Sequence, residues 1–145
     1  MDFSKDISAG YLVNQLARIF ERGLSGRIRP LGLTTGAFPA LLELWAEDGL
    51  TQKQLVDRLD IEQATMANTL NRMERDGLVR REKDAKDRRV QRVRLTEKAR
   101  ALQDAAVAQA IAENAERLAP LTEEEQAQFI HLLRRLIAGP AAETD

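Results

Sequence analysis

Apolar residues recur along most of this chain at helical spacing, interrupted by one stretch where valine and arginine alternate as in strands. Leu12, Leu16, Ile19 and Gly23 follow the i, i+4, i+7, i+11 pattern and predict a first helix from about Ile7 to Arg27, closed by Pro30 and Gly32. Thr34 or Thr35 caps a second helix that carries Phe38, Leu41, Leu42 and Trp45 and ends near Asp48-Gly49. Pro39 either falls in its first turn, where a missing N–H is tolerated, or removes a backbone bond and bends the helix.

Thr51-Gln52-Lys53-Gln54 is a capping-box sequence and opens a short third helix bearing Leu55, Val56 and Leu59. Asp60 with Gln63 repeats the signal, so the next helix follows after a tight connection, the helix-turn-helix arrangement. At 3.6 residues per turn this fourth helix divides into two faces. Met66, Leu70 and Met73, supported by Ala67, form an apolar stripe; Thr65, Asn68, Thr69 and Arg72 fall on the other side. Short hydrogen-bonding groups plus one arginine, without the Glu/Lys mixture of a solvated surface helix, suit a DNA major groove.

Gly77 ends that helix, after which Val79 and Arg81, then Val90, Arg92, Val93 and Leu95, read as two strands joined by a turn at Asp84-Ala85-Lys86-Asp87. The alternation predicts one buried and one cationic face. Thr96 caps a long Ala-rich helix to about Leu118, Pro120 breaks it, and Thr122 to Glu125 opens a last helix carrying Phe129, Leu132, Leu133, Leu136 and Ile137. Gly139-Pro140 closes it before a short polar tail.

Composition agrees with a mostly helical protein of one domain: 145 residues, four prolines, eight glycines and few aromatics. The absence of cysteine excludes disulfides and thiolate chemistry and favours a cytoplasmic protein. The first residues lack the basic and apolar regions of a signal peptide, and no apolar run is long enough to span a bilayer, so no membrane role is expected. The net charge of −1 hides an asymmetry. Between Val79 and Arg94, eight basic residues oppose three acids, a local +5, whereas seven acids oppose three arginines from Glu113 onward. A short positive element on a neutral to acidic body localises a nucleic-acid footprint. Charged edge strands also occur merely to prevent aggregation, and the clustering of one sign is what favours DNA here.

The order of these elements resembles the MarR family of bacterial transcriptional regulators over nearly the whole chain. The local match runs through Met73-Glu74-Arg75-Asp76-Gly77-Leu78-Val79-Arg80-Arg81, then Asp87-Arg88-Arg89, then Val93-Arg94-Leu95-Thr96. The resemblance implies a mainly α fold with a small β-hairpin: a winged helix-turn-helix over about residues 34–95, flanked by dimerisation helices over about 1–30 and 96–140. It implies a homodimer that presents one recognition helix to each half of a pseudo-palindrome in double-stranded DNA. It also implies that Asp87 orients an arginine and that Arg89 enters the minor groove, while the other wing cations meet phosphates. The long apolar stripes of the outer helices independently require something to cover them, and self-association is the economical solution.

The expected DNA-contacting residues are therefore Gln63, Thr65, Asn68, Thr69, Arg72, Asp87, Arg88 and Arg89. Ala64, Ala67 and Asn68 stand where many relatives place serine, threonine or arginine, which reduces phosphate contacts and leaves the operator sequence open; Asn68 has the paired donor and acceptor that read an adenine edge. Relatives often hold small aromatic acids between dimer helices and DNA-reading part, and Tyr11, Arg18, Phe38 and Trp45 are candidates for such an effector site, with a hydrophobic core as the competing role for the aromatics. His131 lacks catalytic partners, and Glu123-Glu124-Glu125 is accounted for by a helix macrodipole. No phosphate-binding glycine loop, metal-ligand spacing or nucleophile motif occurs, so neither an enzyme nor a cofactor is expected. The expectation is a ligand-responsive repressor; the alternative is a winged-helix protein-interaction module whose basic hairpin docks an acidic partner.

Overall fold

The computed structural model describes residues 2–141; the last residues of the polar tail lie outside them. The first helix, α1 (Ala9–Ile28), starts later than the apolar spacing predicts because Ser8 caps it, accepting the Tyr11 N–H at 3.2 Å, after a 3-10 turn over Lys5–Ile7. Pro39 sits in the first turn of α2 (Phe38–Ala46) and bends nothing. Thr34 rather than Thr35 steadies the approach to α2, accepting from the Ala37 N–H at 3.2 Å.

Both capping boxes form reciprocally. At the start of α3 (Gln52–Leu59), the Thr51 hydroxyl accepts from the Gln54 N–H while the Gln54 side chain accepts from the Thr51 N–H. Thr122 and Glu125 do the same for α6 (Glu123–Ala138), and Thr96 caps α5 (Glu97–Leu118). Asp60 behaves differently from its reading as a cap for the next helix. It terminates α3 in the left-handed conformation (φ 51°), a geometry Asp tolerates better than most residues, and α4 (Gln63–Arg75) begins after Glu62 with no side-chain cap.

Strands β1 (Val79–Lys83) and β2 (Gln91–Leu95) pair antiparallel with Val79 opposite Leu95 and Arg81 opposite Val93. The connection is longer than the expected turn, running from Asp84 to Val90, where the Asp84 N–H donates to the Val90 carbonyl at 2.8 Å. Leu50 and Thr51 lie against the outer edge of β2 as an isolated bridge: the Val93 N–H donates to the Leu50 carbonyl at 2.8 Å, and Thr51 bridges Arg92.

The core lies inside the helix-turn-helix and hairpin. Leu41, Leu44, Leu50, Leu55, Met66, Leu70, Met73 and Leu78 are all fully enclosed there, joined by Ile28 at the end of α1. Each such side chain contributes about 1.5–3 kcal/mol by leaving water. Trp45, half-buried, packs edge-on against Phe38 with centroids 6.1 Å apart, and its indole N–H donates to the Ala99 carbonyl in the first turn of α5 at 3.0 Å. By contrast α6 contains no buried residue, and Leu136 and Ile137 are 75% and 84% exposed.

One charged group enters the interior. Glu113 on α5 is 2% exposed, held by the Arg27 Nε of α1 at 3.0 Å and approached by the Arg117 Nε at 2.8 Å. Arg27 also reaches Gln109 and Glu116. Gly23, which the spacing placed in the apolar stripe of the first helix, makes this possible: a Cβ there would lie 1.9 Å from a Glu113 carboxylate oxygen.

Candidate nucleic-acid interface

The apolar half of α4 is consumed by the core, with Met66, Leu70 and Met73 buried, so its opposite half faces solvent. Gln63, Thr65, Asn68 and Arg72 are exposed and Thr69 is half-buried. The Thr69 hydroxyl donates to the Thr65 carbonyl at 2.9 Å, which spends its proton inside the helix and leaves its oxygen free to accept. Because Glu62 provides no side-chain cap, the first N–H groups of α4 remain open at the positive end of the helix dipole, an arrangement that receives phosphate oxygens. The Gln63 side chain accepts from the Gln52 amide of α3 at 3.3 Å. Gln52 was absent from the expected contact set, and its only sequence signal is its place one residue after the Thr51 cap.

At the wing tip, Asp87 grips Arg89 in a fork: Nε donates to one carboxylate oxygen at 3.1 Å and Nη2 to the other at 3.2 Å, while the Arg89 backbone N–H adds a third bond at 3.1 Å. The Arg89 side chain is nonetheless 91% exposed, so the guanidinium is aimed without being buried. These bonds from Arg89 hold the Asp87 carboxyl below its ordinary range. Arg88 is exposed beside it.

The local charge is divided in its use. Arg92 donates through Nε to Asp84 at 2.9 Å and through Nη1 to the Gly49 carbonyl at 2.9 Å. Asp84 also accepts from the backbone of Lys86 and Asp87, so it organises the turn from within; the Arg92 bond, then that from the Asp87 N–H, lowers its pKa. Arg94 pairs with Glu82 across the hairpin, and Arg81 donates to Asn71 of α4 at 2.8 Å, tying wing to recognition helix. Among the described residues, Arg72, Arg80, Lys83, Lys86 and Arg88 have no carboxylate within ion-pair distance.

The four residues expected at an effector site are not gathered in one place. Phe38 and Trp45 touch, but Tyr11 is exposed beneath the Lys5 ammonium, and Arg18 lines a separate shallow depression with Arg22 and Arg29. Phe38 instead lines a cavity of about 380 Å³ with Phe20, Leu24 and Leu42, between α1, α2 and α5, whose floor includes Glu113. A second, larger groove of about 480 Å³ runs between α1, α5 and α6, walled by Leu16, Phe20, Phe129 and Leu133. No helix of the described residues is long and apolar enough to cross a membrane.

The MarR family model matches residues 31–90, the helix-turn-helix with β1 and the loop that follows it. A probable transcriptional regulator of Pseudomonas aeruginosa is 30% identical over 92% of this chain and 99% of its own, with a TM-score of 0.86. A MarR family transcriptional regulator of Silicibacter pomeroyi is 30% identical over 98% of this chain and 96% of its own, with a TM-score of 0.73. A MarR family protein of Mycobacterium tuberculosis, solved in complex with salicylic acid, is 30% identical over 89% of this chain and 96% of its own, with a TM-score of 0.69. With that identity sustained over nearly full length, and with the winged helix-turn-helix architecture in common, this chain belongs to the MarR family of transcriptional regulators.

Proposed function

We propose that the protein is a homodimeric repressor that binds a pseudo-palindromic operator in double-stranded DNA and releases it when a small molecule binds. The observation that carries the DNA reading is the pairing of two exposed surfaces: the Thr65, Asn68 and Arg72 face of α4, and Arg89 held out by Asp87. Arg81 joins the elements that bear them through Asn71. The recognition helix enters the major groove, where Asn68 reads an adenine edge and Gln63, Thr65, Thr69 and Arg72 fix position. Arg89 enters the minor groove, where a narrow width concentrates negative potential, and Arg88 meets phosphate.

The dimer follows from α6 and α1. An amphipathic helix without one buried residue is not held by its own subunit, and the exposed apolar side chains of Leu12, Val13, Leu136 and Ile137 gain from burial against a second copy. Two-fold symmetry then sets half-sites about one helical turn apart. The effector is a small aromatic acid, by likeness to the relative that holds salicylic acid. Its binding shifts the population toward dimers whose recognition helices no longer match the half-site spacing. The protein acts in the cytoplasm, by binding and without catalysis.

Selection of random duplex DNA by the purified protein, followed by titration of the recovered sequence and a scrambled control across a salt series, tests this reading. An inverted repeat bound far more tightly than the control is expected, with affinity falling as salt rises. Weak binding indifferent to sequence would overturn it in favour of a protein-interaction module. Salicylate is expected to raise the melting temperature of the dimer and weaken its hold on the recovered operator; no change in either would remove the aromatic acid.

A further inference from the structure

We propose that Asp48 is the positioning residue of the wing, standing in for a missing stretch of β-strand so that the hairpin carrying Arg89 keeps one fixed pitch against the recognition helix. The inference rests on the reading that the wing meets DNA.

A two-stranded hairpin leaves one edge of each strand without partners, and a free edge lets a hairpin swing. The outer edge of β2 is closed here in two ways. At Val93 the main chain does it, since the Val93 N–H donates to the Leu50 carbonyl at 2.8 Å and the Val93 carbonyl accepts from the Gly49 N–H at 3.1 Å. At Leu95 the bridging segment has already turned away into α2, and a side chain takes over. The Asp48 Oδ1 accepts from the Leu95 N–H at 2.9 Å and from the Gly49 N–H at 2.9 Å. Its Oδ2 accepts from Arg100 of α5 at 2.8 Å. One carboxylate thus joins the end of α2, the last residue of the wing and the first turns of the helix that leaves it.

Gly49 completes the corner. Its φ is +84°, and a Cβ would stand 2.4 Å from the Arg94 guanidinium, which lies across it, while Arg92 holds its carbonyl. The groups facing Asp48 are therefore Arg100 from α5 and two backbone N–H groups, with Arg92 and Arg94 around the neighbouring residue. Burial raises the pKa of Asp48, but the bonds from Leu95, Arg100 and Gly49 together outweigh it and keep the group ionised, with both oxygens available to accept.

The test is a double-mutant cycle on the full-length dimer with the selected operator, using Asp48→Ala, Arg89→Ala and the two combined. Each single substitution is expected to weaken binding about tenfold, and the combination is expected to be little worse than either, because Asp48 acts through the placement of Arg89. Asp48→Asn keeps an oxygen for Leu95 and Gly49 and is expected to retain most of the affinity. Hydrogen exchange at the Leu95 amide is expected to accelerate at least about tenfold in Asp48→Ala and much less in Asp48→Asn. Losses that multiply, or unchanged exchange at Leu95, would overturn the proposal. If Asp48→Ala does not fold, Arg100→Ala strips only the Oδ2 contact and runs the same cycle, and multiplied losses there would also overturn it. Failure of the wild-type protein to select any operator would defeat the DNA reading and this role of Asp48 with it; a selected operator with multiplied losses would defeat only the role.

Discussion

Helices α4 and α6 have the same amphipathic construction and opposite fates. In α4 the apolar stripe of Met66, Leu70 and Met73 is wholly enclosed, while on the polar half Thr65, Asn68 and Arg72 are exposed. In α6 the apolar residues Leu132, Leu136 and Ile137 are exposed, and nothing on the helix is buried. The difference teaches what kind of partner each surface awaits. A solved core beneath an idle polar face waits for a hydrogen-bonding ligand such as a base edge, whereas an idle apolar face waits for another apolar face. The contrast also separates two energetic situations, because α4 is stabilised by the core of its own chain and α6 buries no residue against it.

The comparison breaks most severely if association is removed. Leu136→Asp combined with Ile137→Asp places charges on the surface assigned to the second copy. Sedimentation should then report a monomer, and operator affinity should fall about 100-fold or more as two linked half-sites become one. A dimer that persists would show that α6 awaits something else. The next effect falls on the polar side: Arg89→Ala should weaken operator binding about tenfold and reduce the salt dependence by about one counterion, read from a log–log plot of affinity against salt. Equal slopes for the two proteins would remove Arg89 from the interface.

Two glycines of α1 sharpen the comparison within a single helix. Gly23→Ala drives a methyl group into the Glu113 carboxylate and should cost about 1–3 kcal/mol in denaturant unfolding, since the displaced group is charged and enclosed. Gly26→Ala meets nothing within 4 Å and should stabilise by about 0.5–1 kcal/mol through helix propensity. The smallest effect at ordinary pH is the titration of the wing. Asp84 and Asp87 are held below the ordinary aspartate value of 3.8, by Arg92 and Arg89 respectively, before all other influences. A lowered folded pKa gives stability that is complete above that ordinary value and lost as pH falls through the folded one. Amide shifts of Asp87 and Arg89 should therefore be flat from pH 8 to about 5 and move together only in stronger acid. Movement near pH 6 would contradict the fork.

Much of this arrangement was legible because its determinants are local. The capping boxes at Thr51 and Thr122, the placement of Met66, Leu70 and Met73, and the Val79 and Val93 strands each depend on residues within one or two turns of each other. The family resemblance added the order in which they assemble. What escaped depends on distant partners. Nothing within the first helix indicates that Gly23 admits a carboxylate from residue 113, and nothing within the hairpin indicates that Leu50 and Asp48 close its edge. Asp60 misled for a different reason: aspartate serves both as a helix cap and as a left-handed terminator, and the competition is decided by the geometry of the connection. The wing cations read as one cluster by charge, yet Arg81, Arg92 and Arg94 have partners within the chain, which sequence order alone does not reveal.

The sequence contains a single tryptophan, and its indole bridges Phe38 on one side and the Ala99 carbonyl on the other. That location gives the molecule an optical gauge set across the seam between α2 and α5. Any event that widens or wets this seam lengthens the indole hydrogen bond and shifts the emission of Trp45, so such an event carries its own colour without a label.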